Sequence, residues 1–332
     1  MSHANGGPPQ QPGDGFPQSR LFGLDIETSP PADLLRRILA FAERGEHRRV
    51  SYVNAHVLNQ SFTDDALRDA LQRSDLVYCD GYGVRLATKA IGLPVPHRMT
   101  GADWIWGVAA LCEAEGRSLY LLGSDAGASQ EAAACLKRWY PRLEVRGAHH
   151  GYFQIGTPHS ERVVEHINEH KPDVLLVGMG TPLQELWVDH YFDRLDANVV
   201  WTVGALFDYV SGRVQRAPHW MADHGLEWIF RLAIEPRRMW RRYLLGNPVF
   251  LWRVMSERHA HRDDPAVEAA AILSFSDGGS GGHAHTNGTR NGNGNGRAHG
   301  GGNGNGEHEN GVIHTERPPG RSQTAGRRLP DA

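Results

Sequence analysis

Residues 173–185 read DVLLVGMGTPLQE, an apolar run of strand length that stops at Gly178 and passes into a helical pattern. The same grammar recurs along the chain. Strand-like runs occupy 49–53 (RVSYV), 75–79 (DLVYC), 118–122 (SLYLL), 173–178 and 199–203 (VVWTV). Helical patterns lie between and around them, near 32–44, 63–73, 83–91, 102–115, 126–139, 160–170 and 183–195. Continuous apolar strands alternating with helices of 10–15 residues imply βαβ units and a mostly parallel sheet covered on both faces. The reading is an α/β, Rossmann-like sheet sandwiched by helices over residues 20–212. Short segments at 21–26 and 144–149 are candidate edge strands.

Outside this body the composition shifts. Residues 1–19 are rich in Gly, Pro and Gln, and from about Asp277 the chain turns to Gly, Asn, His and Arg, with NGNGNG at 291–296. Such segments cannot bury enough apolar surface to offset their ordering entropy, so 1–19 and 262–332 are expected to be disordered. Residues 213–258 differ again. They hold nine arginines, no lysine and four acids, a local charge of +5, together with Trp220, Trp228, Trp240 and Trp252. Proline is excluded from helix interiors, so 213–261 reads as a basic, aromatic helical appendage broken at Pro218, Pro236 and Pro248.

The formal net charge of −3 argues against a general binder of nucleic acid or other polyanions. No run approaches the roughly 18 apolar residues of a spanning helix, and no basic-then-apolar leader is readable. Cys79, Cys112 and Cys135 are an odd set without CxxC spacing, which suits neither a disulfide framework nor a zinc knuckle. The expectation is a soluble protein of a reducing compartment.

In parallel sheets, ligands bind beyond the carboxyl ends of the strands. The residues delivered there are Asn54-Ala55-His56, Asp80-Gly81-Tyr82-Gly83, Gly123-Ser124-Asp125, Gly178 through Glu185, and Gly204 through Asp208. Glycines at such turns let backbone N–H groups and helix N-termini approach a phosphate, which suits a nucleotide-linked substrate, although packing alone also favours glycine there. Position alone leaves Asp80 divided between capping the next helix and acting as a carboxylate base. There is no G-x-S-x-G elbow, Walker lysine, H-E-x-x-H or D-x-D pair. His149-His150, if extended, would point its rings to opposite faces, which is wrong for chelating one ion. No metal or cofactor is therefore expected.

Taken in order, VNAHVLN (53–59), DGYGV (80–84), RMTGADW (98–104), LLGSDAG (121–127), HHGYF (149–153), VGMGTPLQE (177–185), VGALFDYVSGRVQRAPHWM (203–221) and GLEWIFRLAIEPRRMWRRYL (225–244) resemble the WecG/TagA/CpsF family of glycosyltransferases. The resemblance runs from about residue 20 to 246. It implies inverting, metal-independent transfer from a UDP-sugar donor to a polyprenyl-diphosphate-linked acceptor at the inner face of the cell membrane, in teichoic acid or other surface-polysaccharide synthesis. By resemblance, Asp80 is the general base and Arg98 a second catalytic residue. Asn54, Gln184 and Asp208 are substrate contacts, and Arg231, Arg238 and Arg241 are appendage arginines that complete the site. Their spacing of seven and three is compatible with one helical face if the Pro236 break is mild. Tyr52 departs from the pattern, standing where members often carry a small hydroxyl residue.

Two other readings stay in view. One is a non-catalytic nucleotide-sugar-binding scaffold recruited through 213–258. The other, a Rossmann oxidoreductase, lacks the strand-proximal G-x-G-x-x-G. The sugar, the acceptor and the oligomeric state are not readable, and a Trp-bearing surface could equally be shared between subunits.

Overall fold

The computed structural model describes residues 17–218, 220–221 and 224–262. The expectations for 1–16 and 263–332 lie outside the described residues. Eight strands form one sheet: β1 (Gln18–Leu21), β2 (Leu24–Glu27), β3 (Arg48–Val53), β4 (Leu76–Cys79), β5 (Ser118–Gly123), β6 (Glu144–His149), β7 (Val174–Gly178) and β8 (Val199–Thr202). Their order is β1-β2-β4-β3-β8-β7-β5-β6. Only the β1–β2 hairpin at one edge is antiparallel; every other pair runs parallel. The hairpin begins at Gln18, so the ordered body starts inside the segment expected to be disordered.

The inner strands β4, β5, β7 and β8 are largely apolar and buried at every position because both faces are covered. Side chains alternate across a strand, and the two cores divide accordingly. Leu119, Leu121, Val174, Leu176, Val199 and Trp201 enter one core. Tyr120, Leu122, Leu175, Val177 and Val200 enter the other. Each of these is fully buried, and truncating one to alanine costs about 2–5 kcal/mol for a leucine.

Helices α1 (Pro31–Glu43), α2 (Ala55–Ser61), α3 (Asp65–Gln72), α4 (Tyr82–Ile91), α5 (Gly101–Glu115), α6 (Ala128–Trp139), α7 (Pro158–His170) and α8 (Leu183–Tyr191) connect the strands, and α9 (Leu206–Ser211) follows the last of them. α5 is apolar nearly all round because it lies inside the first core, where Trp104 stacks on Trp201 with centroids 4.0 Å apart. α2 was not expected. It forms because the Asn54 side chain caps it, accepting from the N–H groups of His56 and Val57.

The chain leaving β3 turns toward β4, whereas the chain leaving β8 enters α9, which packs on α6 near the opposite edge. Connections that diverge from adjacent strands open a crevice at their carboxyl ends. The turns bordering it are tight. Gly123 sits at φ +144°, and a Cβ there would lie 2.1 Å from the Gly178 carbonyl oxygen.

The C-terminal segment is helical, as expected: α10 (Glu227–Ile234), α11 (Pro236–Trp240), a π-helical turn (Arg241–Leu245) and α12 (Gly246–Arg262). The break at Pro236 is present, with Glu235 at φ −123°, ψ +61°. The expected break at Pro248 is absent. Pro248 falls in the first turn of α12, directly after the wide turn, where a missing N–H removes little. α12 packs against α2 and α4. Asn59 donates to the Gly246 carbonyl at 2.7 Å, and Arg253 donates back to the Asn59 carbonyl at 2.7 Å. The appendage is thus fastened directly above the ends of β3 and β4.

Candidate active site

Between those strand ends and the C-terminal helices lies a cavity of about 260 Å³, lined by Asn54, His56, Asp80, Arg98, Glu227, Trp228, Arg231, Arg242 and Tyr243, among others. The sheet supplies its floor and α10, the π turn and α12 its roof. Gly225 clamps the two together: at φ +72° it lies so close to Tyr82 that a Cβ would come within 2.6 Å of the ring.

Asp80 follows β4 directly, and its N–H donates to the Val53 carbonyl at 2.8 Å. It does not cap α4. The cap position is Gly81 and receives no side-chain hydrogen bond, so the capping reading of Asp80 falls away. The carboxyl faces the cavity, where burial, then the Glu227 carboxylate, push its pKa up to about 6. The Thr100 hydroxyl, Arg242 and Arg98 pull it back toward ionisation. A carboxylate so placed is ionised at neutral pH yet basic enough to take a proton.

Three guanidinium groups share the cavity with it. Arg98 bridges floor and roof, 3.7 Å from Asp103 and 3.6 Å from Glu227. Arg231 lies over the Tyr209 ring, 5.6 Å from its centroid. Burial works against its charge, but Tyr209, Tyr243, Glu227 and Asp80 together raise its pKa above the ordinary value. Among the described residues, the buried Nε of Arg242 has no hydrogen-bond partner. A half-buried guanidinium on the wall of an open cavity is suited to phosphate oxygens. Beside it His56 is held neutral, its pKa driven down to about 4 by burial and then by Arg242.

The structure distributes the remaining expected residues as follows. Asn54 lines the cavity, but its Oδ1 is occupied by the α2 cap at 3.0 and 3.1 Å. Gln184 does not reach the cavity. It is fully buried, accepting from the Gly204 N–H at 3.0 Å and donating to Glu185 at 2.7 Å, and so braces the β7 turn against the β8 turn. Asp208 lies on α9, on the same rim but outside the cavity lining. Arg241 is exposed and lies over Trp240 at 5.3 Å. One helical face does not carry both Arg231 and Arg241, because the Glu235 break reorients the chain between them. The Arg238 side chain lies outside the described residues. Arg242 occupies the place the sequence reading gave to its neighbour.

Behind the floor, Glu185 is a second buried carboxyl. Burial pushes its pKa up to about 7, against hydrogen bonds from Gln184 and Thr181. Tyr52 is buried with its pKa pushed up to about 12, by burial and then by Glu185 and Asp80. Its hydroxyl sits where a Cβ on Gly204 would be, at 2.6 Å.

A strand-end carboxylate facing guanidinium groups is what a group transfer with an anionic leaving group requires. A family model described as the glycosyl transferase WecG/TagA/CpsF family matches residues 19–264. The chain belongs to this family. Among its relatives, the N-acetylglucosaminyldiphosphoundecaprenol N-acetyl-beta-D-mannosaminyltransferase of Staphylococcus aureus strain MRSA252 is 26% identical over 236 residues, 70% of this chain and 91% of the relative. The protein of the same name from strain NCTC 8325 / PS 47 matches equally, and that of strain MW2 is 25% identical with the same coverage. The chain is accordingly a glycosyltransferase, with the α/β architecture read from its sequence. Among the described residues no helix is long and apolar enough to cross a membrane.

Proposed function

We infer that this WecG/TagA/CpsF glycosyltransferase moves a sugar from a UDP-sugar to a polyprenyl-diphosphate-linked saccharide, with inversion and without a catalytic metal ion. The observation that carries the reading is the shared cavity, in which Asp80, with a pKa of about 6, faces Arg98, Arg231 and Arg242. Asp80 takes the proton of the acceptor hydroxyl as its oxygen attacks the anomeric carbon. The bond from that carbon to the donor's diphosphate breaks, and UDP leaves with the electron pair. Guanidinium groups on the cavity wall stabilise the charge that accumulates on the leaving oxygen. Asn54 offers its amide nitrogen to substrate, Gln184 holds the rim in shape, and Asp208 extends the donor side of the rim. The relatives' names make N-acetylmannosamine the first sugar to test and a GlcNAc-diphosphate lipid the first acceptor. Teichoic acid or related surface-polysaccharide synthesis is the setting these substrates suit.

The same reading places the protein on the membrane that holds its acceptor. Leu244, Leu245, Val249, Leu251, Trp252 and Met255 are exposed on the π turn and α12, close to the arginines of the same segment. Apolar side chains beside arginines are the composition of an interfacial helix. The deciding experiment incubates the full chain with a panel of UDP-sugars and a short-chain lipid-diphosphate saccharide, with and without EDTA. Product from one donor, undiminished by EDTA, supports the proposal. UDP binding without turnover on any donor supports the scaffold reading instead, and loss of activity restored by Mg²⁺ overturns metal independence.

A further inference from the structure

The opposite edge of the sheet carries a second cluster of chemistry-bearing side chains. β6 ends at His149, so His150 begins the following loop and is freed from strand alternation. The expectation that the two rings point apart therefore fails. Their centroids are 4.4 Å apart, and the His159 ring stands nearly perpendicular to both, at 5.6 Å from His149 and 5.4 Å from His150. One ring nitrogen from each of the three lies within 4.8 Å of the others.

The backbone beneath these rings is fixed. Thr157 caps α7, accepting from the Ser160 N–H, and Pro158 occupies the first turn, which sets the position of His159. The loop after β6 is fastened to the β5 turn, where Gly151 N–H donates to the Ser124 carbonyl at 3.1 Å. A Cβ on Gly151 would lie 2.6 Å from Met179, so the loop also rests on the β7 turn. The His149 Nδ1 lies 2.8 Å from the His150 carbonyl. A carbonyl can only accept, so Nδ1 carries the proton and Nε2 presents a lone pair. A ligating imidazole is usually oriented by such an outer contact.

We propose that His149, His150 and His159 form a site for one borderline divalent transition ion of the Zn²⁺ class, outside the transfer cavity. Neutral imidazoles suit this class, whereas Mg²⁺ and Ca²⁺ take oxygen ligands. Three nitrogens on a tetrahedral ion, with bonds of about 2.0–2.1 Å, stand roughly 3.4 Å apart. The ring nitrogens, now within 4.8 Å of one another, would close by up to about 1.4 Å to reach that geometry. Ligation by either nitrogen of His150 gives up the 3.2 Å contact from the Tyr152 N–H, a contact on an exposed loop. The fourth position is left to water. Four strands separate β6 from β4, which delivers Asp80, so the ion takes no part in proton transfer there. Its effect is to staple the β6 loop, and through it the turns of β5 and β7, to the start of α7.

The test titrates Co²⁺ into the EDTA-treated full chain and follows visible absorption, with Zn²⁺ as competitor. The histidines outside residues 149–159 remain in every variant, so adventitious binding cancels in the comparison. The expected result is one Co²⁺ per chain with intense tetrahedral bands, erased by one equivalent of Zn²⁺. His159→Ala, and separately His150→Ala, lose the bands and weaken binding by at least about tenfold. Zn²⁺ raises the melting temperature of the wild type and leaves that of His150→Ala unchanged. Absence of tetrahedral bands in the wild type, or equal bands and affinity in wild type and both variants, overturns the proposal.

Discussion

Arg241 and Arg242 are adjacent, chemically identical and differently placed, so replacing each by alanine separates cavity electrostatics from general basic charge. Arg242 lines the cavity, its buried Nε without a hydrogen-bond partner among the described residues, while Arg241 is exposed beside Trp240. A hydrogen bond to a charged group contributes about 1.5–3 kcal/mol. At about 1.4 kcal/mol per decade, loss of one such bond to the donor diphosphate lowers kcat/KM roughly 10- to 150-fold. Arg242 stands on the cavity wall and is not part of either core, so the melting temperature of Arg242→Ala should stay near that of the wild type. Arg242 also helps to hold Asp80 ionised, and without it the acid limb of the pH–rate profile should move above about pH 6. Arg241→Ala should change kcat/KM less than about twofold, since an exposed charge is largely screened. The assay is transfer to a soluble short-chain acceptor, which removes membrane binding from the comparison. Equal losses in the two variants, or an unmoved acid limb in Arg242→Ala, would mean that Arg242 contributes only general basic charge.

The buried Glu185 carboxyl has a folded-state pKa of about 7, above its ordinary 4.5, so the folded protein holds its proton longer than the unfolded chain does. Its contribution is complete below about pH 4.5, is lost as pH rises to about 7, and is level beyond. Glu185→Gln should therefore raise stability at pH 8, by at most roughly 3 kcal/mol, and leave it unchanged at pH 4; denaturant titration at both pH values checks this. Gly123→Ala should destabilise by about 3 kcal/mol or more, because its Cβ meets the Gly178 carbonyl at 2.1 Å; a melting temperature like the wild type's would contradict it. Replacing Leu244, Leu245 and Trp252 together by serine should weaken co-sedimentation with anionic vesicles at least about tenfold, while transfer to the soluble acceptor persists.

Much of this architecture is legible in the sequence because burial on both faces writes itself as uninterrupted apolar runs. VLLV and SLYLL are examples, and both strands lie where those runs stand. Asp80 is legible for a related reason: a polar residue directly after such a run is delivered to the rim. The failures are local and three-dimensional. A polar residue after β3 read as rim chemistry, but Asn54 spends its oxygen capping a helix of seven residues. Gln184 follows a glycine-rich turn, yet its side chain points into the protein to brace Gly204. Arg241 and Arg242 cannot be told apart without knowing how the chain turns after Glu235 and through the π turn. The His149 and His150 rings read as pointing apart because strand alternation is carried one residue past the strand's end at His149.

Asp80→Asn isolates the proposed deprotonation of the acceptor by Asp80 during an inverting transfer from UDP-sugar. Single-turnover transfer from labelled UDP-N-acetylmannosamine to a GlcNAc-diphosphate lipid should be slowed by roughly 10²–10⁴-fold. UDP affinity and melting temperature should be retained, and the wild-type product should carry the inverted anomeric configuration. Transfer by Asp80→Asn at the wild-type rate, or a product with retained configuration, would contradict the account.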